Sequence, residues 1–360
     1  MVKALVAHES GTTPEVVEIL LPDLGPRDVR VGIAAAGVCH SDLSMINGTI
    51  SPTFPVVLGH EASGTVLEVG SQVEDLEPGS RVVLNWAAPC RQCWFCLHAQ
   101  PWLCRAVEGV VSRPGGTLTD GSSVNLALGV GAFAEETLVP RSSVVALPDG
   151  VGFDIGAVMG CAVLTGMGAV RNTADVRAGE SVVIFGLGGI GLSAIAGARL
   201  AGASRIIAVD VSESKAETAL GMGATDFLIS DGTVPKSVRK LTGGRGADHA
   251  LECVGKPVTI RAAWSSVRRG GKCTVVGVGG VSDEVTFSAM EIYHFARTLT
   301  SSVFGSCDPA RDIPVLSDHV RAGSVDLARL ISHRTDLHGV SAAFTRMQAG
   351  EGARTLIEFQ

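Results

Sequence analysis

Four of the nine cysteines lie between Pro89 and Cys104, in the pattern C-x2-C-x2-C-x7-C. These four are Cys90, Cys93, Cys96 and Cys104. In a reducing compartment such a cluster is typical of metal ligands, and an odd cysteine total fits a disulfide framework poorly. An iron–sulfur run would have a shorter last gap followed by proline. Four thiolates without an open position predict a structural zinc that fixes a loop.

A second set of metal-ligand residue types is dispersed along the chain. Cys39 in GVCHSD, His60 in GHEASG and Cys161 in GCAVLTG would form a Cys2His set. In zinc enzymes that set leaves a fourth position open for water or substrate. Spacing alone does not bring the three residues together, and a solitary histidine is commonly structural. Their convergence is therefore a prediction that the fold tests.

A glycine-rich segment indicates a nucleotide-binding loop. Its letters, GLGGIG, are Gly186, Leu187, Gly188, Gly189, Ile190 and Gly191. The segment follows the strand-like SVVIF and opens a helix-like run, which is the context that a dinucleotide fingerprint requires. The glycines permit a tight turn, close approach of the backbone to a pyrophosphate, and close packing of helix on strand. The anion would then lie at a helix N-terminus.

Asp210 ends the next strand-like run, RIIAVD, nineteen positions after Gly191. A carboxylate there accepts hydrogen bonds from the adenosine ribose and repels a 2′-phosphate, so the sequence favours NAD over NADP. An alternative role for Asp210 is a helix N-cap. Lys215 has two interpretations, a second ribose contact or a solvated helix lysine.

The elements that must position these residues fall into two regions. Residues 1–162 are predicted to be β-rich, a small barrel or sandwich, because short apolar runs alternate with turn residues. They include the cysteine-rich lobe at about 88–106. Residues 163–303 alternate strand-like and helix-like runs, including a helix over 257–271, and predict an α/β doubly wound parallel sheet. Residues 304–360 carry two helix-like segments and a last strand-like run.

Composition limits the function. With 360 residues and 46% hydrophobic residues, two globular domains are expected. The net charge of −7 and the lack of a basic block argue against a nucleic-acid partner. The start of the chain does not resemble a signal peptide, which favours the cytoplasm. Val182–Ala198 carries no charge and approaches the length of a membrane span, but its glycines fit the nucleotide loop better.

Taken together, the motifs resemble those of zinc-dependent medium-chain alcohol dehydrogenases. GVCHSD, GHEASGTVLEVG, the four-cysteine run, GCAVLTGMGA, GLGGIG, the VD that ends with Asp210, and ARTLIEF occur in that order over nearly the whole chain. The resemblance implies a GroES-like catalytic domain and a Rossmann domain, with the active site in the cleft between them. It also implies NAD and two zinc ions per subunit, one catalytic and one structural. Residues 304–360 would return to the catalytic domain.

The resemblance further implies the residues of the reactive centre. Cys39, His60 and Cys161 would bind the catalytic zinc, and Glu61 would lie beside the metal. Asp42 would hold His60 through its other ring nitrogen. The zinc would lower the pKa of an alcohol, whose hydride then passes to C4 of NAD⁺.

Ser41 would accept the alcohol proton and pass it on towards the nicotinamide ribose. Some family members continue this relay with a histidine where the chain has Ser44, so the end of the proton path is not assigned. Trp86 and Phe133 match substrate-pocket positions and favour an apolar alcohol, aromatic or of medium length. For both residues the alternative is a place in the barrel core.

The same resemblance assigns a cofactor-binding group. His40 and Arg354 would contact the pyrophosphate, with a polar loop residue as the alternative for His40. Cys253, Val276 and Val278 complete the cofactor-binding set; Cys253 is also interpreted as a buried thiol.

Three functions remain open from the sequence. The leading one is an NAD-linked zinc dehydrogenase of primary or secondary alcohols and their aldehydes. Residues 113–139 are also similar to the actinobacterial branch that includes mycothiol-dependent formaldehyde dehydrogenase, which would act on a thiol conjugate. The third is a non-catalytic cofactor-binding protein on the same fold. The resemblance also implies a homo-oligomer, a dimer or a tetramer, with TVVGVGGVSDEVTF as the contact.

Overall fold

The structure, a computed structural model, describes residues 1–359, which form eighteen β-strands and eleven α-helices. The chain divides into two compact units. The first unit contains Met1–Ala162, Asp308–Gly323 and the chain from Ile331 onward. The second contains Val163–Cys307 and Ser324–Leu330. The segment 304–360 therefore does not return to the first unit as one piece, because residues 304–307 and 324–330 belong to the second.

The strands are β1 (Val2–Ala7), β2 (Glu15–Leu20), β3 (Asp28–Val38), β4 (Val56–Val57), β5 (Ala62–Val69), β6 (Arg81–Leu84), β7 (Ser112–Leu118), β8 (Ser123–Ala127), β9 (Glu136–Pro140), β10 (Val144–Ala146), β11 (Ser181–Phe185), β12 (Arg205–Asp210), β13 (Asp226–Ile229), β14 (Ala247–Glu252), β15 (Val267–Val275), β16 (Thr298–Ser301), β17 (Ile331–Thr335) and β18 (Arg354–Glu358). The α-helices are α1 (His40–Ile46), α2 (Trp94–Leu97), α3 (Phe153–Val158), α4 (Leu164–Gly168), α5 (Gly189–Leu200), α6 (Ala216–Met222), α7 (Val234–Leu241), α8 (Pro257–Ser266), α9 (Ala289–Phe295), α10 (Pro309–Arg321) and α11 (Val340–Gln348).

The first unit consists of a closed barrel and a separate sheet. The barrel has the order β1-β2-β7-β8-β4, and the seven-stranded sheet has the order β10-β6-β5-β3-β18-β17 with β9 also paired to β3. Along β3 the side chains alternate between buried and half-buried and then become wholly buried from Ala35 to Val38. That buried end leads directly into Cys39, which places the cysteine inside the unit.

The C-terminal strand returns to β3 in a defined register. β18 runs antiparallel to β3 with Thr355 opposite Val38 and Ile357 opposite Ala36. Arg354, the residue before Thr355, therefore lies at the end of β3 where Cys39 follows. β17 pairs with β18 in parallel, and the sequence did not indicate this strand.

The second unit is a six-stranded sheet of order β13-β12-β11-β14-β15-β16, in which every pairing is parallel. The prediction of an α/β doubly wound sheet is confirmed. The strand order reverses direction between β11 and β14, which makes this the topological switch point where such sheets bind ligands beyond their carboxyl ends. The loop that begins at Gly186 leaves β11 at that point.

One local expectation is corrected and another is confirmed. The helix predicted over 257–271 ends at Ser266, because Val267 already pairs with Ala247 as part of β15. The uncharged run Val182–Ala198 is not one segment, since it is divided between β11, the glycine loop and α5 and is mostly buried. The helical stretch Phe153–Ala174 is long and apolar enough to cross a membrane, but 83% of that window is buried inside the structure, as in a core helix.

Candidate metal centres and nucleotide loop

Two groups of metal-ligand side chains are formed in the first unit. In one of them, Cys39, His60, Glu61 and Cys161 each place a ligand atom within 4.8 Å of the other three, and all four residues are buried. The three dispersed residues of the predicted Cys2His set are thus brought together. Glu61 joins them as a fourth potential ligand.

Asp42 connects the segments that carry the first two ligands. One of its oxygens accepts a hydrogen bond from the backbone N–H of Cys39 at 3.0 Å. The other accepts from the backbone N–H of Gly59 at 3.0 Å and lies 3.1 Å from Nδ1 of His60. Since Asp42 and His60 are both fully buried, these contacts fix the ring orientation and direct Nε2 towards the sulfur atoms.

Nε2 of His60 is the observation that tests whether a metal fits. It is buried and has no hydrogen-bond partner among the described residues. Burial alone would lower the pKa of His60, but the charges of Asp42 and Cys39 raise it well above its usual range. A buried nitrogen in such a negative setting favours a cation, and zinc takes nitrogen and sulfur ligands of this kind.

The sulfur atoms of Cys39 and Cys161 lie within 4.8 Å of each other. The thiol of Cys161 lowers the pKa of Cys39 well below its usual range, although burial opposes this. Cys161 lies in a widened, π-type turn, Met159–Val163, of the kind frequent at functional sites. Gly160 permits close packing there, because a Cβ at that position would lie 2.5 Å from the carbonyl oxygen of Leu84.

Glu61 and Arg354 form a buried ion pair beside this cluster. Nη2 of Arg354 lies 3.4 Å from Oε2 of Glu61, and Nη1 donates to the carbonyl of Val38 at 2.9 Å. Burial raises the pKa of Glu61 to about 8, although the charge of Arg354 lowers it. The sequence assigned Arg354 to the cofactor and did not indicate this partner.

The four cysteines of the lobe also converge. The sulfur of Cys93 lies 3.6 Å from that of Cys96 and 3.8 Å from that of Cys104, and all four sulfurs lie within 4.8 Å of one another. A tetrahedron of sulfurs bound to zinc at about 2.3 Å has edges of about 3.8 Å. The backbone N–H groups of Cys90 and Ala106 donate hydrogen bonds to the sulfur of Cys104 and fix its position. This group fits a closed tetrahedral zinc.

Arg91 fastens the lobe to α10. Its guanidinium donates to both carboxylate oxygens of Asp308, at 2.5 and 2.6 Å, and its backbone has a φ of 63°. Asp308 is the N-cap of α10 and also accepts from the backbone N–H of Ala310. Sequence reasoning missed this pair, since nothing in the cysteine pattern points to a residue more than two hundred positions away.

The glycine-rich loop in the second unit has the geometry that its pattern requires. Gly186 has a φ of 86°, which favours glycine. A Cβ at Gly191 would lie 1.8 Å from the carbonyl oxygen of Gly186, whereas a Cβ at Gly188 would meet nothing within 4 Å. Gly191 is therefore required for packing, and the open space at Gly188, at the N-terminus of α5, fits an anion close to the backbone.

Asp210 is the last residue of β12 and Lys215 follows it, at the same sheet edge as that loop. One oxygen of Asp210 accepts from the backbone N–H of Leu187 at 2.7 Å and the other from that of Ser212 at 3.0 Å. Lys215 is only 8% exposed, and burial lowers its pKa although Asp210 raises it. The solvated-lysine interpretation is therefore wrong.

The remaining predicted cofactor residues differ in their surroundings. Cys253 and Val276 directly follow β14 and β15, at the carboxyl edge that also carries the glycine loop. Burial raises the pKa of the Cys253 thiol. Val278 is 73% exposed, and His40 is exposed at the start of α1.

Ser41 and the two aromatic positions complete the set. Oγ of Ser41 lies 3.8 Å from the sulfur of Cys39, within the first turn of α1. Trp86 is partly buried against the core of the first unit. Phe133 is 0% exposed within that core, so the expected pocket wall at this position is wrong and the core alternative holds.

Glu252, at the end of β14, was also missed. Its buried carboxylate accepts from the backbone N–H groups of Val254 and Gly255 and from the hydroxyl of Thr259. It therefore holds the turn that follows Cys253. The signal available in the sequence was an acidic residue at the end of an otherwise apolar strand.

Comparisons with known proteins agree along the chain. Residues 25–149 match the alcohol dehydrogenase GroES-like domain family, and residues 189–321 match the zinc-binding dehydrogenase family. The S-(hydroxymethyl)glutathione dehydrogenase of Synechocystis sp. is 35% identical over 99% of both chains. The benzyl alcohol dehydrogenase structure from Acinetobacter calcoaceticus has a TM-score of 0.92 at 28% identity and covers 100% of this chain and 99% of its own. A putative zinc-binding dehydrogenase from Sinorhizobium meliloti bound to NADP has a TM-score of 0.84 at 26% identity, with coverage of 100% and 99%.

Proposed function

The chain belongs to the zinc-dependent alcohol dehydrogenase family of medium-chain dehydrogenases, and we propose that it interconverts apolar primary or secondary alcohols and their carbonyl products with NAD. The buried group of Cys39, His60, Glu61 and Cys161, with an orphaned Nε2 aimed into it, is the observation that carries the proposal. A non-catalytic role is disfavoured, because the four ligand residues and Ser41 are all present and lie close together within the first unit.

Cys39, His60 and Cys161 would hold the catalytic zinc, and the four lobe cysteines the structural zinc. When bound, zinc supplies a Lewis acid that lowers the pKa of an alcohol, and the nicotinamide supplies the hydride acceptor. Asp42 keeps the Nδ1 proton of His60 engaged, so Nε2 remains available as a ligand.

The protein's own residues handle the proton and the local charge. Oγ of Ser41, beside the sulfur of Cys39, is placed to accept the proton that an alcohol loses at this site. Arg354 offsets the negative charge that Glu61 and the thiolates bring into a buried region. Ser44 holds no predicted role in the relay, and we propose that water carries the proton onward from Ser41.

The preference for NAD rests on Asp210. Its carboxylate already accepts from two backbone N–H groups and is thereby held at the loop edge, where it would accept from the ribose hydroxyls and repel a 2′-phosphate. A structural relative is bound to NADP, so the fold by itself does not select NAD, and the proposed preference depends on Asp210.

A second substrate class is favoured by one comparison. The full-length relative from Synechocystis sp. is an S-(hydroxymethyl)glutathione dehydrogenase, and a thiol conjugate of formaldehyde is therefore the alternative substrate. The apolar alcohol is supported by Trp86, which matches a substrate-pocket position of the family and is partly buried.

The deciding experiment is a rate screen with NAD⁺ against short, long and benzylic alcohols. Formaldehyde is tested in parallel, alone and with mycothiol or glutathione. We expect turnover of benzylic or medium-chain alcohols without any thiol. A strict thiol requirement would overturn the alcohol proposal in favour of the conjugate. Absence of turnover with both zinc ions and the cofactor bound would overturn catalysis itself.

Two cysteine variants, one test and one matched control, check the assignment of the catalytic metal group. Cys39→Ser should remove turnover together with one zinc ion per chain. Cys273→Ser should retain both, because Cys273 is a buried thiol that belongs to neither metal group.

We also propose a homo-oligomer in a reducing compartment, the cytoplasm. All nine cysteines are free of disulfides, and both metal groups require reduced thiols. β16 is an edge strand of the second unit's sheet and, within residues 1–359, pairs only with β15; the nearby helix α9 buries none of its residues. An open sheet edge beside exposed apolar side chains suits a second copy of the chain.

A further inference from the structure

A surface cavity of about 500 Å³ in the second unit is lined by four arginines, Arg239, Arg245, Arg269 and Arg297. Glu291 and Phe295 also line it. None of the metal ligands, loop glycines or cofactor residues discussed above takes part. The chain as a whole has a net charge of −7, so four cations around one cavity need an explanation.

The cavity lies at the edge of the sheet opposite the nucleotide loop. Arg245 shortly precedes β14, and Arg297 directly precedes β16, so both lie at the amino ends of parallel strands. The glycine loop and Asp210 follow carboxyl ends. The two sites are therefore separated by the length of the strands, and the cavity is distinct from the cofactor site.

The four guanidinium groups are not neutralised. Among residues 1–359, none of them forms an ion pair with a carboxylate. Glu291, the one carboxylate in the lining, is engaged by Arg261 at 3.0 Å and by the indole N–H of Trp264 at 2.6 Å. Burial lowers the pKa of Arg297, and the charges of Arg239 and Arg261 lower it further, whereas Glu291 raises it.

Contacts within the second unit hold two of the four arginines in place before any ligand binds. Arg297 stacks on Phe295 with 4.3 Å to the ring centroid, and Nη1 of Arg239 donates to the carbonyl of Ser265 at 3.2 Å. Arg269 lies where β15 departs from regular pairing with β14, an irregularity that re-aims side chains. Guanidinium groups fixed in this way bind tetrahedral oxyanions through paired hydrogen bonds.

We propose that this cavity binds a small ligand bearing a phosphoryl group with at least two negative charges. The ligand comes either as a free inorganic anion or as an organic phosphate ester. A single carboxylate would leave most of the arginine charge unbalanced.

The test is isothermal titration of the zinc-loaded protein at saturating NADH, which occupies the nucleotide loop. Inorganic pyrophosphate is titrated in one arm and glycerol phosphate in the other. The compound that binds more tightly shows whether the ligand is a free inorganic anion or an organic phosphate ester. Arg239→Gln and Arg297→Gln should each weaken binding about tenfold, the expected loss for one charge-assisted contact.

Lys240→Gln is the matched control, because Lys240 follows Arg239 in α7 and is exposed like it but does not line the cavity. It should change the affinity by less than about twofold, since a charge outside the lining acts on the ligand only through solvent that screens it. Equal losses of affinity in all three variants would show that general surface charge accounts for the binding, and would overturn the proposed site. The proposed site would also be overturned if the unaltered protein showed no saturable binding. The same holds if binding occurs without NADH and is abolished when NADH is added. Circular dichroism melts establish that each variant is folded, and Arg245→Gln replaces any variant that is not.

Discussion

The guanidinium of Arg354 lies in a buried position beside two thiols and the carboxylate of Glu61. It is there because β18 pairs with β3 in a register that sets Thr355 opposite Val38. A buried cation of this kind compensates the negative charge of the cluster. Removing it would leave the buried carboxylate of Glu61 without its guanidinium partner.

Arg354→Gln should therefore destabilise the zinc-loaded protein by about 3–5 kcal/mol, the usual cost of breaking a buried pair. Urea unfolding of the zinc-loaded protein measures this loss, and Glu61→Gln completes a double-mutant cycle. Arg334→Gln is the control, since Arg334 pairs at the surface with Asp154 on the same unit and should cost about 1 kcal/mol or less. Equal costs for Arg334 and Arg354 would contradict the buried-pair account.

Asp210→Ser should raise the ratio of kcat/KM for NADP⁺ to that for NAD⁺ by about tenfold or more. The reason is the loss of repulsion against a 2′-phosphate together with the loss of ribose hydrogen bonds. Leu187 also loses its carboxylate acceptor, so KM for NAD⁺ should rise. The control is Asp231→Ser, because Asp231 follows the next strand and likewise accepts from a backbone N–H, that of Thr233 at 2.7 Å. An unchanged cofactor ratio in the Asp210 variant would remove the basis for the proposed NAD preference.

At the scale of elements, the lobe around α2 has little core of its own. No residue of α2 is buried, and Trp94 and Leu97 are 58% and 71% exposed. Four converging sulfurs and the Arg91–Asp308 pair are what hold it. The metal therefore replaces the hydrophobic packing that such a short segment cannot provide.

Cys93→Ser should release one zinc ion per chain and lower the Tm by about 10 °C, because structural zinc contributes directly to folding free energy. Metal analysis and a thermal melt measure the two effects, and proteolysis within 88–106 should become faster. Cys273→Ala is the control and should keep its zinc content. A Cys93 variant with full zinc content would refute the lobe as a metal site.

The strands with continuous apolar runs were predictable from the sequence, and so was the spacing of the nucleotide loop. β12 and β11 occupy the predicted runs, because both faces of a parallel sheet are covered and the pattern is local. The convergence of Cys39 with Cys161 was not derivable from spacing, since it depends on how β3 and the α3 segment pack. The Glu61–Arg354 pair also escaped prediction, because it arises from the register of the last strand, which no local pattern encodes.

At the scale of the whole molecule, the two units carry different groups of the proposed site residues. The first unit holds both metal groups, and the second holds the nucleotide loop. The second unit also exposes an open strand edge at β16 and an apolar helix, α9, with Met290 and Tyr293 70% and 84% exposed. Such a surface is costly for an isolated chain.

Tyr293→Asp should therefore convert the proposed oligomer towards smaller species. Burying a new carboxylate at a contact centred on an aromatic side chain should raise the dissociation constant by about a hundredfold. Sedimentation velocity over a range of concentrations measures the change. Leu97→Asp, on the equally exposed lobe helix, is the control and should leave the distribution unaltered. This face is ruled out as the subunit contact if the unaltered protein is a monomer. It is also ruled out if the Tyr293 variant sediments in the same way as the unaltered protein.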